Sequence, residues 1–119
     1  MKKIPDSELE IMMIIWDAGK SVTSDYIMER IQKDWTKTTL LNLLTRLCER
    51  GALSRGKEGR HNIYSPLIKK DEYLQSESKC FLSKMYHNSL TGLVASLYDG
   101  KSITKDDLDE LKKFIEEAK

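Results

Sequence analysis

Cysteine and histidine are scarce, and neither is placed for metal or redox chemistry. Cys48 and Cys80 form no CxxC pair, and His61 and His87 have no partner at a ligand spacing. A disulfide framework and a zinc site are therefore excluded as organising features, and no metal or cofactor is expected. Both cysteines fall among apolar residues on helical patterns and read as small core residues. No Ser-His-Asp or Cys-His constellation and no phosphate-binding glycine loop is visible, which excludes the common enzyme classes. Long hydrophobic runs are also missing, since the longest, Ile11 to Trp16, is far too short to cross a bilayer. Lys2 and Lys3 look like the start of an export signal, but Pro5, Asp6, Ser7 and Glu8 follow where an apolar core would have to stand. The expectation is a cytoplasmic protein without membrane insertion.

Charge of one sign is lacking overall, because 20 basic residues face 19 acidic ones for a net +1. Its distribution is uneven. Residues 37–60 hold Lys37, Arg46, Arg50, Arg55, Lys57 and Arg60 against only Glu49 and Glu58, whereas the last fifteen residues are net acidic. A basic segment of this kind is the electrostatic footprint expected where phosphates are met.

That segment opens with a capped amphipathic helix. Thr36 is a capping residue, Leu40, Leu43, Leu44 and Leu47 recur at the spacing of one buried stripe, and Gly51 supplies a left-handed stop. At roughly 100° per residue the opposite face carries Thr38, Asn42, Thr45 and Glu49, with Thr39 and Arg46 on one flank and Leu41 on the other. These side chains are mostly short, uncharged and able to hydrogen-bond, which suits close approach to base edges and phosphates in a DNA groove.

Before it, Pro5 and a Ser7–Glu10 capping box predict a helix from about Asp6 to Ala18 with Leu9, Met12, Met13 and Trp16 buried, ended by Gly19. Ser21-Val22-Thr23 is long enough only to pair as an edge strand. Thr23 or Ser24 then caps a second helix reaching about Lys33, with Tyr26, Ile27, Met28 and Ile31 on its apolar side. The connection Asp34-Trp35-Thr36 is brief, so the second and third helices meet steeply as a helix-turn-helix, with Trp35 placed as a staple. After Gly51 the period changes to two. Ala52–Arg55 and His61–Ser65 predict short strands around a Lys57-Glu58-Gly59-Arg60 turn, a wing whose Lys57, Arg60 and His61 would stand near the DNA backbone. For Arg60 and His61 plain solvation remains open.

These residues resemble the penicillinase-repressor family of winged-helix regulators, the BlaI/MecI type, to which the CopY-type copper-responsive repressors also belong. The resemblance rests on Ile4, Glu8-Leu9-Glu10-Ile11-Met12 and Ile15-Trp16, on Lys33-Asp34-Trp35-Thr36, on Thr39, Leu43, Leu44, Thr45-Arg46-Leu47 and Arg50-Gly51, and on Tyr64-Ser65-Pro66-Leu67. It implies a homodimeric repressor of inverted-repeat operator DNA, controlling an antibiotic (beta-lactam) resistance operon and answering to an upstream membrane sensor-protease. It assigns DNA contact to Thr36, Thr38, Thr39, Asn42 and Arg46. Leu41 stands where well-known members place an arginine and Asn42 where they place a threonine, so operator choice is expected to differ. The Asn-Phe pair cut in penicillinase repressors aligns with Ser96-Leu97, so that cleavage site does not carry over. The cysteine-rich C-terminal motif of the copper branch is missing as well.

The fold class expected is mainly α with a small β-hairpin: a winged helix-turn-helix over 1–67 and an all-helical dimerisation region over 68–119. Helices are predicted from about Lys70 to His87, from about Ser89 to Tyr98, and from Thr104 onward. Three thin helices bury apolar groups poorly alone. A second copy is expected to cover Tyr73, Leu74, Phe81, Met85, Leu93, Leu97, Leu108, Leu111, Phe114 and Ile115. The twofold axis would then set two recognition helices about 34 Å apart, one turn of DNA. Two rival readings stay open: a winged-helix protein-interaction module that never touches DNA, and a member of the same family that controls metal homeostasis.

Overall fold

The computed structural model of the chain describes residues 2–118. Six helices and a three-stranded antiparallel sheet follow in the order α1 (Asp6–Ala18), β1 (Val22–Thr23), α2 (Ser24–Arg30), α3 (Lys37–Glu49), β2 (Leu53–Glu58), β3 (His61–Pro66), α4 (Lys70–Tyr86), α5 (Leu90–Asp99) and α6 (Lys105–Glu117). They form two compact units, the first closing at Ser76 and the second beginning at Glu77.

In the first unit β3 lies between β1 and β2, with Val22 opposite Tyr64 and Arg55 opposite Tyr64 on the other side. Helices α1, α2 and α3 close over this sheet around Ile11, Met12, Ile15, Ile27, Leu40, Leu44, Leu47, Leu53 and Tyr64, all essentially free of solvent. Chain punctuation follows local chemistry. Gly19 stops α1 at φ 65, where its N–H donates to the Trp16 carbonyl, and Thr23 caps α2 by accepting the Tyr26 N–H.

The buried stripe of α1 is rotated from the expected one. Glu8, Ile11, Met12 and Ile15 face the core, while Leu9, Met13 and Trp16 are only half-buried. The cause is Glu8. A carboxylate at 2% exposure belongs to the core stripe because Arg50 Nε donates to its Oε1 at 2.8 Å. The Ser7–Glu10 capping box does not form. Pro5 is the N-cap without a side-chain bond, and Glu10 pairs with Lys33 Nζ at 3.4 Å instead. Helix α2 stops at Arg30, short of Lys33, because Ile31 turns extended while Arg30 folds back, its guanidinium 3.5 Å from the Tyr26 ring centre and donating to the Tyr26 carbonyl. The link to α3 is therefore longer than expected, and half-buried Trp35 packs on the core from within it.

Tyr73 belongs to the first unit and not to the exposed apolar set in which the sequence placed it. It is 2% exposed, its hydroxyl accepts the Ile4 N–H at 2.7 Å, and its ring lies 5.9 Å from that of Trp16. These contacts carry the unit beyond position 67, through the first turns of α4.

In the second unit α5 is capped by Ser89, which accepts the Gly92 N–H, and α6 by a capping box in which Thr104 and Asp107 satisfy each other's backbone N–H groups. His87 and Asn88, both at positive φ, make the turn before α5. Among the described residues of this unit none is buried. Phe114, at 68% exposure, Ile115, Phe81 and Met85 are open, and Leu93, Leu108 and Leu111 are half-covered. Cys80 is exposed too, contrary to the expectation of a core residue, because this stretch of α4 has no core of its own to enter. Cys48 is half-buried against the first unit's core as expected.

Candidate nucleic-acid interface

The candidate surface is built on α3. Leu40, Leu44 and Leu47 are fully buried, which fixes the helix about its own axis and turns the opposite residues outward. Thr36 Oγ1 accepts the Thr39 N–H at 3.1 Å and lies 3.1 Å from the Thr39 hydroxyl, so the cap and its neighbour are held together at the N-terminus. Lys37 pairs with Asp25 of α2 at 3.3 Å, an exposed contact of little energetic weight between the two helix starts. Thr38, Leu41, Asn42, Thr45, Arg46 and Glu49 are all exposed, Leu41 at 37%. The sequence-derived face is thus exposed along the length of α3.

Gly51 connects this helix to the wing. At φ 80 its N–H donates to the Cys48 carbonyl while the Ala52 N–H reaches the Leu47 carbonyl, a glycine-ended helix stop. The wing strands are longer than the sequence suggested. Lys57 and Glu58 are paired within β2, opposite Asn62 and His61, so the turn contracts to Gly59-Arg60. Gly59 takes φ 64 there, which a two-residue hairpin turn demands and glycine meets without strain. Arg60 therefore sits at the tip, His61 and Lys57 just behind it, all exposed.

One residue at this surface was missed. Arg55 of β2 donates from Nη2 to Thr45 Oγ1 at 3.1 Å, while the Thr45 hydroxyl donates to the Leu41 carbonyl at 2.9 Å. The Arg55 guanidinium also lies 5.7 Å from the Tyr64 ring centre. The signal available was parity: Arg55 stands two residues after buried Leu53, on the same side of a strand of period two.

Arg46 occupies a separate position. It lines a cleft of about 550 Å³ with Lys2, Lys3, Glu49 and Arg50, floored by Ile4, Ala52 and Ile68. Positive side chains thus extend along the flank of α3 beyond the wing. No group of three or more His, Cys, Asp or Glu side chains that could hold a metal ion occurs among the described residues, and no helix among them is long and apolar enough to cross a membrane.

The family model described as penicillinase repressor matches residues 4–117. The penicillinase repressor of Bacillus licheniformis is 34% identical over 123 residues, covering 100% of this chain and 96% of that protein. The methicillin resistance regulatory protein MecI of Staphylococcus aureus (strain N315) is 30% identical over 115 residues, covering 95% of this chain and 93% of that protein. Among solved structures, the DNA-binding domain of the repressor BlaI matches with a TM-score of 0.53 at 36% identity, over 61% of this chain and 94% of that one. Monomeric Bacillus licheniformis BlaI in complex with the blaP half-operator matches with a TM-score of 0.52 at 32% identity, over 60% of this chain and 89% of that one.

Proposed function

The chain belongs to the penicillinase-repressor family, and from that membership we propose that it is a transcriptional repressor of a beta-lactam resistance operon, non-enzymatic and cytoplasmic. It binds inverted-repeat, double-stranded operator DNA as a homodimer and is relieved by a signal from an upstream membrane sensor-protease. The observation that carries the reading is the exposed face of α3, where Thr38, Leu41 and Asn42 stand uncovered on a helix held by three buried leucines. Each kind of side chain has a task at a groove. Asparagine pairs with the N6 and N7 edge of adenine, leucine touches a thymine methyl, and the threonines and lysine at the helix start meet phosphate oxygens. Lys57, Arg60 and His61 add backbone contacts from the wing, and Arg46 from the other flank. Dimerisation rests on apolar side chains of the second unit, Phe81, Met85, Leu97, Phe114 and Ile115 exposed and Leu93, Leu108 and Leu111 half-covered, together with exposed Leu74.

Fluorescence anisotropy with duplex DNA from upstream of the chain's own reading frame tests the proposal. Tight binding to one twofold-symmetric site, and much weaker binding to a scrambled duplex at the same salt, is expected. Equal binding to both duplexes would overturn the repressor reading.

A further inference from the structure

The Thr45 hydroxyl has one proton and two lone pairs. The proton is donated to the Leu41 carbonyl and one lone pair is taken by Arg55 Nη2, which leaves Thr45 nothing to donate to a phosphate or a base acceptor. Arg55 is in the opposite condition. Among the described residues only one of its five N–H donors has a hydrogen-bond partner, its side chain is exposed, and the guanidinium is held at two points, by Thr45 on α3 and over the ring of Tyr64 on β3. A long side chain that would otherwise lose several rotors on binding is thus already oriented at the edge of the exposed α3 face.

We propose that Arg55 is a DNA-contact residue that grips an operator phosphate, and that Thr45 is its positioning residue and donates no hydrogen bond to a base. The inference rests on the operator-binding reading above and assigns roles within that surface. An arginine fork fixed in advance suits a phosphate at the groove wall, where it sets the depth and register of α3 for every sequence alike. Thr45 contributes only through the arginine it holds.

The test is a double-mutant cycle in the 119-residue chain, using the operator duplex and a scrambled duplex across a salt series. R55A is expected to weaken binding to both duplexes about tenfold and to lower the log–log salt slope by about 0.9. T45V, which keeps the shape but removes the acceptor, is expected to weaken binding severalfold when Arg55 is present and not at all in the R55A background, whereas T45S keeps wild-type affinity. A T45V loss of equal size in both backgrounds would make Thr45 a direct reader and overturn the assignment. So would an R55A loss confined to the operator duplex, which would mean a base contact, or no R55A effect at all. If the wild-type chain itself fails to prefer the operator, the function proposal fails, and that result is distinct from these.

Discussion

Arg50, at the end of α3, donates to the buried carboxylate of Glu8 on α1 at 2.8 Å. The pair fixes the C-terminal end of α3 against the scaffold, as the leucine stripe fixes its rotation. R50M leaves Glu8 buried without its cation. Complete burial would cost about 3–5 kcal/mol, but the Arg50 side chain is 40% exposed and water relieves part of the loss, so about 2 kcal/mol is expected. The E8M/R50M double variant regains most of it. Urea unfolding followed by Trp16 and Trp35 fluorescence measures both, and a double variant as unstable as R50M would show that the charge is not the cause.

Ending the chain after residue 67 or after residue 76 separates two ideas of where the winged unit stops. The shorter fragment loses Tyr73 with its bond to Ile4 and its contact with Trp16. Loss of a buried aromatic costs about 3–5 kcal/mol, so the 1–67 fragment is expected to be largely unfolded at room temperature and the 1–76 fragment folded. Circular dichroism melts distinguish them, and equal midpoints would place Tyr73 outside the folding unit.

These two predictions also mark how far the sequence can be read. The leucines of α3, the Thr36 cap, the Gly51 stop and the Thr104–Asp107 box depend on neighbours within a turn or two, so pattern and propensity disclose them. Glu8 with Arg50 and Ile4 with Tyr73 are 42 and 69 residues apart, and Arg55 reaches Thr45 only because the chain reverses at Gly51. A charged residue inside a core stripe carries the polar signal of a surface one until its partner is known. That is why the buried side of α1 was misplaced while the exposed side of α3 was not.

Substitution of Asn42 is expected to change sequence preference more than affinity for DNA in general. N42A removes a side chain able to make two hydrogen bonds to adenine, worth about 1–3 kcal/mol of discrimination, and leaves every basic residue in place. Competition binding with operator duplexes altered one base pair at a time would locate the affected position. A uniform loss at all positions would show that Asn42 contacts the backbone.

The open apolar side chains of the second unit predict self-association that a charge abolishes. F114D and I115D place carboxylates at two of its most exposed apolar positions, where desolvating a charge in an interface is costly. Sedimentation velocity is expected to give a dimer for the wild type and a monomer for the double variant, with α-helical content unchanged. A wild-type monomer at tens of micromolar would refute the dimer.

Gly51 has space around it, since a Cβ built there would meet nothing within 4 Å, yet its φ of 80 is one that other residues resist. Helix α3 and the hairpin consequently share a single short elbow with no slack between them. Inserting or deleting a residue at that joint would tilt helix and hairpin together. A change in this surface that leaves the scaffold intact is therefore confined to outward side chains such as Leu41 and Asn42.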